Sequence, residues 1–263
     1  MLKVCGRVVL AALVAAMSLV GTAHADGLGP GDFFHDAGAY FTAPLYWDEQ
    51  EWLYFGGALA AIGAAHTLDT TVRDHFAGSH PDLNGQDPNS TRDAAPAAAL
   101  LGGVWLVSTV VGDDAGKGES YTMLEATIFS GVTAEGLKYA AGRAGPNTTL
   151  DANDWRASGS SFPSLHTTAA FAVGTVFAES GDDDYRWFRR IVGYGIAGAT
   201  AYLRLHDNQH WFSDVVAGSA LGIASAHFSM DRRLERLQQH NNLSISVMPI
   251  VGGAKLTVSL NLD

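Results

Sequence analysis

The chain has 263 residues, of which 47% are hydrophobic and 16% are charged, and this length and composition predict one globular domain with a large core. Lys and Arg total 16 against 27 Asp and Glu, so the formal net charge at pH 7 is −11. A balance this acidic argues against nucleic acid as a partner and against strong attraction to anionic membrane surfaces.

Residues 1–25 have the pattern of a secretory signal peptide. Lys3 and Arg7 form its positive start, residues 8–20 form its apolar run, and Ala23-His24-Ala25 forms a cleavage site. We expect cleavage after Ala25 and a periplasmic location. An uncleaved membrane anchor is the alternative, although the apolar run is short for a membrane span.

Cysteine use agrees with export to a bacterial periplasm. The one cysteine, Cys5, lies inside the predicted signal peptide. The mature chain would therefore have neither a disulfide nor a thiolate metal site. A periplasm permits disulfides without requiring them.

Residues 26–50 are rich in aromatic and turn-forming residues. We expect an N-terminal arm that packs on the domain, and an aromatic anchor at a membrane interface is the alternative.

Residues 51–238 carry the helical signals of the chain. Their apolar runs predict an all-α bundle of about six core helices. The predicted helices are 51–67, 69–76, 94–111, 120–142, 164–179, 185–205 and 210–238. Loops are expected at 79–93, 112–119 and 147–161, with an acidic turn at 181–184. The Ala- and Gly-rich composition also suits membrane helices. We favour a water-soluble bundle, because after the signal peptide no stretch of about 18 apolar residues runs without a charge or a break.

The tail, residues 239–263, changes pattern. Residues 243–247 and 256–262 alternate between apolar and polar side chains around a glycine-marked turn, which predicts a β-hairpin. We expect this hairpin to cover the bundle or to pair with another chain.

Residues 204–214 place an arginine, a histidine and an aspartate at fixed intervals before an apolar helix. On a helix, His210 and Asp214 would lie four apart and share a face. The carboxylate would then accept the Nδ1 proton of the imidazole and leave Nε2 as a nucleophile. Arg204 offers a fork of donors suited to phosphate. A surface ion pair at a helix entrance is the other interpretation.

Two earlier stretches strengthen the catalytic interpretation. Pro163 and Ser164 indicate a helix start with Ser164 as the N-cap, and the N–H groups of such a start bind anions. His166 lies in the first turn, where it could give a proton to a leaving group. Further upstream, a helix carrying Lys138 ends at a Gly- and Pro-marked turn that carries Arg143.

In this order the three stretches resemble the signature of the type 2 phosphatidic acid phosphatase superfamily, which includes bacterial acid phosphatases and vanadium haloperoxidases. The family pattern is Lys-x6-Arg-Pro, then Pro-Ser-Gly-His, then Ser-Arg-x5-His-x3-Asp. The matching residues are Lys138, Pro146, Pro163, Ser164, His166, Arg204, His210 and Asp214. The chain departs at Gly145, Leu165 and Leu203, where the family has arginine, glycine and serine. The resemblance covers roughly residues 47–227.

The resemblance implies a metal-independent phosphatase without a cofactor. His210 would attack phosphorus, held by Asp214, and His166 would protonate the leaving oxygen. The phosphate oxygens would be held by Lys138, Arg204, the Ser164 hydroxyl and backbone N–H groups near Leu165. We also expect Arg143 to replace in part the arginine missing at Gly145. The substrate would be a phosphate mono- or diphosphate ester, on a lipid or on a small soluble molecule, with peripheral membrane contact in the first case.

Three other interpretations stay open. His206, His210 and Asp214 fall at i, i+4 and i+8, a spacing that suits a zinc-dependent hydrolase, although the glutamate of the common zinc motif is missing. A vanadate-dependent haloperoxidase would need a full set of cations. Gly145 stands where the family has an arginine, so this interpretation is weaker. A catalytically weakened relative is disfavoured by the retained motif residues.

The remaining histidines and acidic residues do not indicate a functional site. His66, His75 and His80, with Asp69 and Asp74, match no metal-binding spacing. We predict surface or helix-capping roles for them.

Overall fold

The computed structural model describes residues 30–77, 83–85, 87, 90–181, 183–250 and 253–260. The signal peptide expected at residues 1–25 lies outside these ranges. Within them the chain forms eight α-helices followed by two β-strands. In chain order the helices are α1 (Pro30–Thr42), α2 (Glu49–His66), α3 (Asp69–Ala77), α4 (Ser90–Val111), α5 (Asp114–Ala141), α6 (Leu165–Glu179), α7 (Arg186–His206) and α8 (Phe212–Asn242).

The helical bundle expected from the sequence is confirmed, but it contains more helix than predicted. Helix α4 begins at Ser90 and α5 at Asp114, inside the segments predicted as loops at 79–93 and 112–119. Residues 30–42 of the expected turn-rich arm form α1. The polar first turns of α4 and α5 explain the difference, because Ser and Asp are typical both of loops and of helix N-termini.

Helix α6 lies at the centre of the bundle and packs against α4, α5, α7 and α8. The core around it consists largely of alanine and other small apolar residues. Gly174 of α6 and Gly193 of α7 face each other so closely that a Cβ on either would lie 2.5 or 2.3 Å from the other's carbonyl oxygen. Small residues therefore allow these two backbones to approach directly.

Helix α1 packs on the bundle through aromatic contacts. The Tyr40 ring stacks on Phe129 of α5 at 5.0 Å between centroids and meets Phe228 of α8 edge-on at 5.2 Å. The Tyr40 hydroxyl also forms a 2.7 Å hydrogen bond with the hydroxyl of Ser225. The described part of the arm is thus joined to α5 and α8.

The bundle exposes an unusual amount of apolar surface. Within α4, residues Thr91–Val111 are long and apolar enough to cross a membrane, and only 11% of that stretch is buried. Among the described residues this is the one helix that meets that test. Large apolar side chains are also exposed on α2 (Trp52, Leu53, Tyr54, Phe55, Leu59) and on α7 (Trp187, Phe188, Ile191). Since a core helix of a water-soluble protein would be mostly buried, this surface weighs against the water-soluble bundle favoured by the sequence.

The tail continues from α8 as two antiparallel strands, β1 (Leu243–Ile250) and β2 (Gly253–Leu260). Leu243 pairs with Leu260 at one end, and Ile250 pairs with Gly253 at the turn. The side chains of the tail lie outside the described part of the structure, so the roles expected for it stay predictions.

Candidate active site

The three motifs meet at one end of the bundle. Helices α5 and α7 end there, and α4, α6 and α8 begin there. One backbone hydrogen bond joins the start of α6 to the start of α8, since the Ser164 N–H donates to the Asp214 carbonyl oxygen at 3.0 Å. Residues 50 positions apart in the chain thereby share one site.

His210 lies in the turn between α7 and α8, and not on a helix as the sequence predicted. Its Nδ1 atom is 2.8 Å from the Ser161 carbonyl oxygen and 3.7 Å from the nearer carboxylate oxygen of Asp214. Because a carbonyl oxygen only accepts, Nδ1 carries the proton and Nε2 is the basic nitrogen of the neutral ring. The tautomer is the expected one, but Ser161 is the main acceptor, a role the sequence assigned to Asp214.

The surroundings of His210 keep its ring neutral. Burial lowers the pKa of His210 from 6.5 to about 4, and the charges of Arg204 and Lys138 act in the same direction against the opposing effect of Asp214. At neutral pH the imidazole therefore has an available lone pair, as a nucleophile requires.

Asp214 is fully buried behind His210. Its Oδ2 atom accepts hydrogen bonds from the Ser161 hydroxyl and, at 3.0 Å, from the Trp211 N–H, while Oδ1 accepts from Arg143 at 2.6 Å. Burial alone would raise the pKa of Asp214, but the contacts with His210 and Arg143 outweigh it and lower the pKa. The residue is therefore an anion that supports the turn carrying His210.

Arg143 does not reach the site where a phosphate would bind, which corrects the role predicted for it. The side chain is fully buried, and its hydrogen bonds occupy all five N–H donors. Nη1 donates to Ser213 and Asp214, Nη2 donates to Asp69 and the Ala152 carbonyl, and Nε donates to the same carbonyl. Arg143 thus holds Asp214 from behind, and Lys138 and Arg204 are the cations that the motifs bring to His210.

Arg204 is buried between two carboxylates that sequence reasoning missed. Its Nη1 donates to Asp93 at 2.8 Å and its Nη2 donates to Asp87 at 2.7 Å, while Nε has no hydrogen-bond partner among the described residues. Asp93 is fully buried, whereas the Asp87 side chain is 21% exposed. Burial would raise the pKa of Asp87, but Arg204, His166 and His210 lower it overall. Asp87 therefore lies within electrostatic range of both histidines.

The second motif forms the start of α6 as expected. Ser164 is the buried N-cap residue, although its hydroxyl accepts from Thr167 at 3.0 Å and does not cap the helix. Leu165 begins the helix, and its side chain points toward Gly131 of α5. His166 is half-buried in the first turn. Lys138, half-buried at the end of α5, donates to the Ser160 carbonyl oxygen and so reaches the loop that leads into this motif.

The space beside Gly145 is filled by the side chain of Asn147 and the backbone of Gln209. A Cβ there would lie 2.8 Å from Oδ1 of Asn147 and 3.4 Å from the Gln209 carbonyl oxygen. Asn147 in turn donates to the Gln209 side chain at 3.0 Å. The side chain of an arginine at residue 145 would have to pass through the space that Asn147 and Gln209 occupy.

Asp69 is the buried residue whose role the sequence misassigned most clearly. It begins α3 and is fully buried, so the surface or capping role predicted for it is wrong. Its carboxylate accepts from Arg143 at 2.6 Å, from the Ser213 hydroxyl at 2.7 Å and from the Ser213 N–H at 2.8 Å. His66 lies 2.8 Å from the same carboxylate. An aspartate at the start of a short polar helix looks like a cap in sequence, and only the contact with Arg143 distinguishes it.

The zinc-hydrolase alternative loses its geometric basis. His206 ends α7, His210 lies in the turn and Asp214 lies in α8, so the three residues do not share a helix. The His206 side chain is 56% exposed and lies 2.9 Å from Asp207. No group of three or more His, Cys, Asp or Glu side chains in the described part of the chain is arranged to hold a metal ion.

Comparison with known proteins agrees with the three motifs. The family model of the PAP2 superfamily matches residues 120–237. A lipid A 1-phosphatase from Porphyromonas gingivalis is 37% identical over 86 residues, which cover 33% of this chain and 17% of that protein. The chain thus matches about a sixth of the length of this relative. No solved structure gave a significant match. Both findings support the resemblance carried by the motifs, and residues 120–237, which hold all three motifs, match the PAP2 superfamily.

Proposed function

We propose that this protein is a metal-independent phosphatase that removes phosphate from a lipid phosphate through a phosphohistidine intermediate. The observation that carries the proposal is the state of His210. The ring is buried and neutral, Nδ1 is bound to the Ser161 carbonyl oxygen, and two cations accompany it. A neutral imidazole with a fixed tautomer beside placed cations is suited to attack phosphorus.

The proposed reaction has two steps. Nε2 of His210 attacks phosphorus in line, and the bond from phosphorus to the leaving oxygen breaks as His166 gives that oxygen a proton. Water then attacks the phosphohistidine, His166 takes a proton from the water, and the P–N bond breaks to release inorganic phosphate. Lys138, Arg204 and the N–H groups at the start of α6 neutralise charge on the phosphate oxygens in both steps.

A lipid phosphate is the substrate that the surface of the bundle favours. Helices α2, α4 and α7 expose large apolar side chains, and α4 and α7 also carry Asp93 and Arg204 at the site. Helices that contact a bilayer would therefore lead directly to the phosphate site. The relative from Porphyromonas gingivalis bears the name of a lipid phosphatase. With the signal pattern at residues 1–25, this supports a membrane-associated enzyme on the periplasmic side.

The haloperoxidase alternative is weaker. A permanently bound vanadate needs many cations, whereas the buried Arg143 is committed to Asp69 and Asp214. Lys138 and Arg204 then remain as the motif cations beside His210. Such a site suits a phosphate that is held briefly and released.

Hydrolysis of two substrates tests the proposal. A lipid phosphate in detergent and a soluble aryl phosphate are each assayed with and without a chelator and orthovanadate. We expect faster turnover of the lipid, inhibition by vanadate and no effect of the chelator. Preference for the aryl ester would point to a soluble substrate, and loss of activity with chelator would contradict the metal-independent mechanism.

A further inference from the structure

We propose that Asp69 and Arg143 are positioning residues of this reaction: together they fix Asp214 and set how much negative charge it presents to His210. The proposal rests on the proposed function, since it assigns roles in the same site. Neither residue contacts the phosphate in our account. They act through Asp214, one layer behind the nucleophile.

The contacts form a continuous chain of polar side chains. His66 lies 2.8 Å from Asp69, Asp69 accepts from Arg143 at 2.6 Å, and Arg143 donates to Asp214 at 2.6 Å. Asp214 stands 3.7 Å from His210. Ser213 closes the ring, because its hydroxyl contacts both Arg143 and Asp69. One guanidinium is thus shared between two carboxylates.

The cluster is shielded from water, which makes this sharing effective. The side chains of Asp69, Arg143 and Asp214 are all 0% exposed. The guanidinium lies 4.5 Å from the ring centre of Trp155 and 5.5 Å from that of Trp211. In such a setting charges interact more strongly than at a surface, and removing one partner leaves the other uncompensated.

Competition for Arg143 predicts opposite effects of two substitutions. If Asp69 loses its charge, Arg143 pairs with Asp214 alone, and His210 meets less negative charge and is harder to protonate. If Arg143 loses its charge, Asp214 is uncompensated, and His210 is easier to protonate. Among the described residues, the other charged groups that act on His210 are Lys138 on α5, Arg204 on α7 and Asp87, and His166 on α6 acts on Asp87 in turn. Both substitutions leave these groups in place.

The test is an NMR titration of the His210 ring in Asp69→Asn and Arg143→Gln, with His210→Ala to assign the signal. We expect the His210 pKa to fall in Asp69→Asn and to rise by about one unit in Arg143→Gln, the size typical of a nearby charge. Arg143→Lys keeps the charge and should stay near wild type, which covers the case in which the glutamine variant does not fold. Glu119→Gln removes the carboxylate of the ion pair between Glu119 and Arg189 at the other end of α5. It should lower stability without moving the titration.

Kinetics separate this proposal from the proposed function. In an active enzyme we expect Asp69→Asn to lower kcat at least tenfold with a smaller change in KM, because positioning is lost while Lys138 and Arg204 still bind phosphate. Shifts of the His210 pKa in the same direction in both variants, or no shift, would overturn the proposal even if wild type is active. An inactive wild type that shows the opposite shifts would overturn the proposed reaction but leave the charge coupling established.

Discussion

Asp87 occupies a position on Arg204 that a phosphate would also require, so its removal should strengthen anion binding. Its carboxylate lies 2.7 Å from Nη2 of Arg204, and its charge is felt by both His166 and His210. A bound phosphate would therefore meet a fixed negative charge and would have to share or take over the guanidinium. We expect Asp87→Asn to bind inorganic phosphate or orthovanadate about tenfold more tightly.

The expected tenfold change in binding follows from the repulsion between the Asp87 carboxylate and a bound anion. Two unit charges about 4 Å apart repel by about 4 kcal/mol at the effective dielectric of a protein surface. The Asp87 side chain is 21% exposed, so water screens part of this repulsion. A residual effect of about 1.4 kcal/mol corresponds to the tenfold change.

The assay is the inhibition constant of phosphate or vanadate, measured for Asp87→Asn and two comparison variants. Asp93→Asn removes the buried carboxylate that holds Arg204, and we expect weaker binding. Asp74→Asn removes an exposed carboxylate that pairs with Arg73, and we expect no change. Weaker binding in Asp87→Asn, as in Asp93→Asn, would refute the competition and show that Asp87 serves to hold Arg204.

Three further predictions follow from the same site. His166→Ala should reduce hydrolysis of alkyl phosphates far more than that of aryl phosphates in steady-state assays, because a poor leaving group needs the proton; equal losses would contradict the acid role. Gly145→Arg must displace Asn147, so it should lower the free energy of unfolding by about 1–3 kcal/mol in urea, and an unchanged midpoint would show that the space is open. Because the pKa of His210 is lowered to about 4, the native state resists protonation and loses stability as pH falls from about 6.5 to about 4. His210→Ala should remove part of this loss, about 3 kcal/mol at most, and parallel stability curves for the two proteins would contradict the low pKa.

The sequence predicted those features that depend on local pattern. The bundle, the start of α6 at Leu165 and the convergence of His166 and His210 follow from helix signals and motif order. Apolar periodicity and cap residues act over a few positions, so they are visible in one chain. The precise start of α8 was missed because the turn that holds His210 contains neither glycine nor proline. The residue with a positive φ in this turn is Asn208.

The contact partners of the motif residues could not be predicted from local sequence patterns. Arg143 is 74 residues from Asp69, and Arg204 is 117 residues from Asp87. No periodic signal links such pairs, since they meet only when α3, α5 and α7 pack at one end of the bundle. The inward orientation of Arg143 has the same origin, because two carboxylates and two tryptophans surround it only in the fold.

The exposure of α4 also could not be derived from composition alone. An apolar helix of this length belongs equally well to a soluble core or to a membrane. Only 11% of its apolar window is buried, which is less than a core helix of a water-soluble protein would show.

The central claim is that His210 carries the phosphoryl group, and the most direct test is to trap that group during turnover. Wild type and His210→Ala are mixed with a substrate labelled on the phosphoryl group and quenched in alkali within milliseconds, since phosphohistidine survives base and is lost in acid. We predict labelled phosphate on wild-type protein, located at His210 by mass spectrometry, and none on His210→Ala, which should also lack turnover. Undiminished turnover in His210→Ala, or label on another residue, would contradict the account.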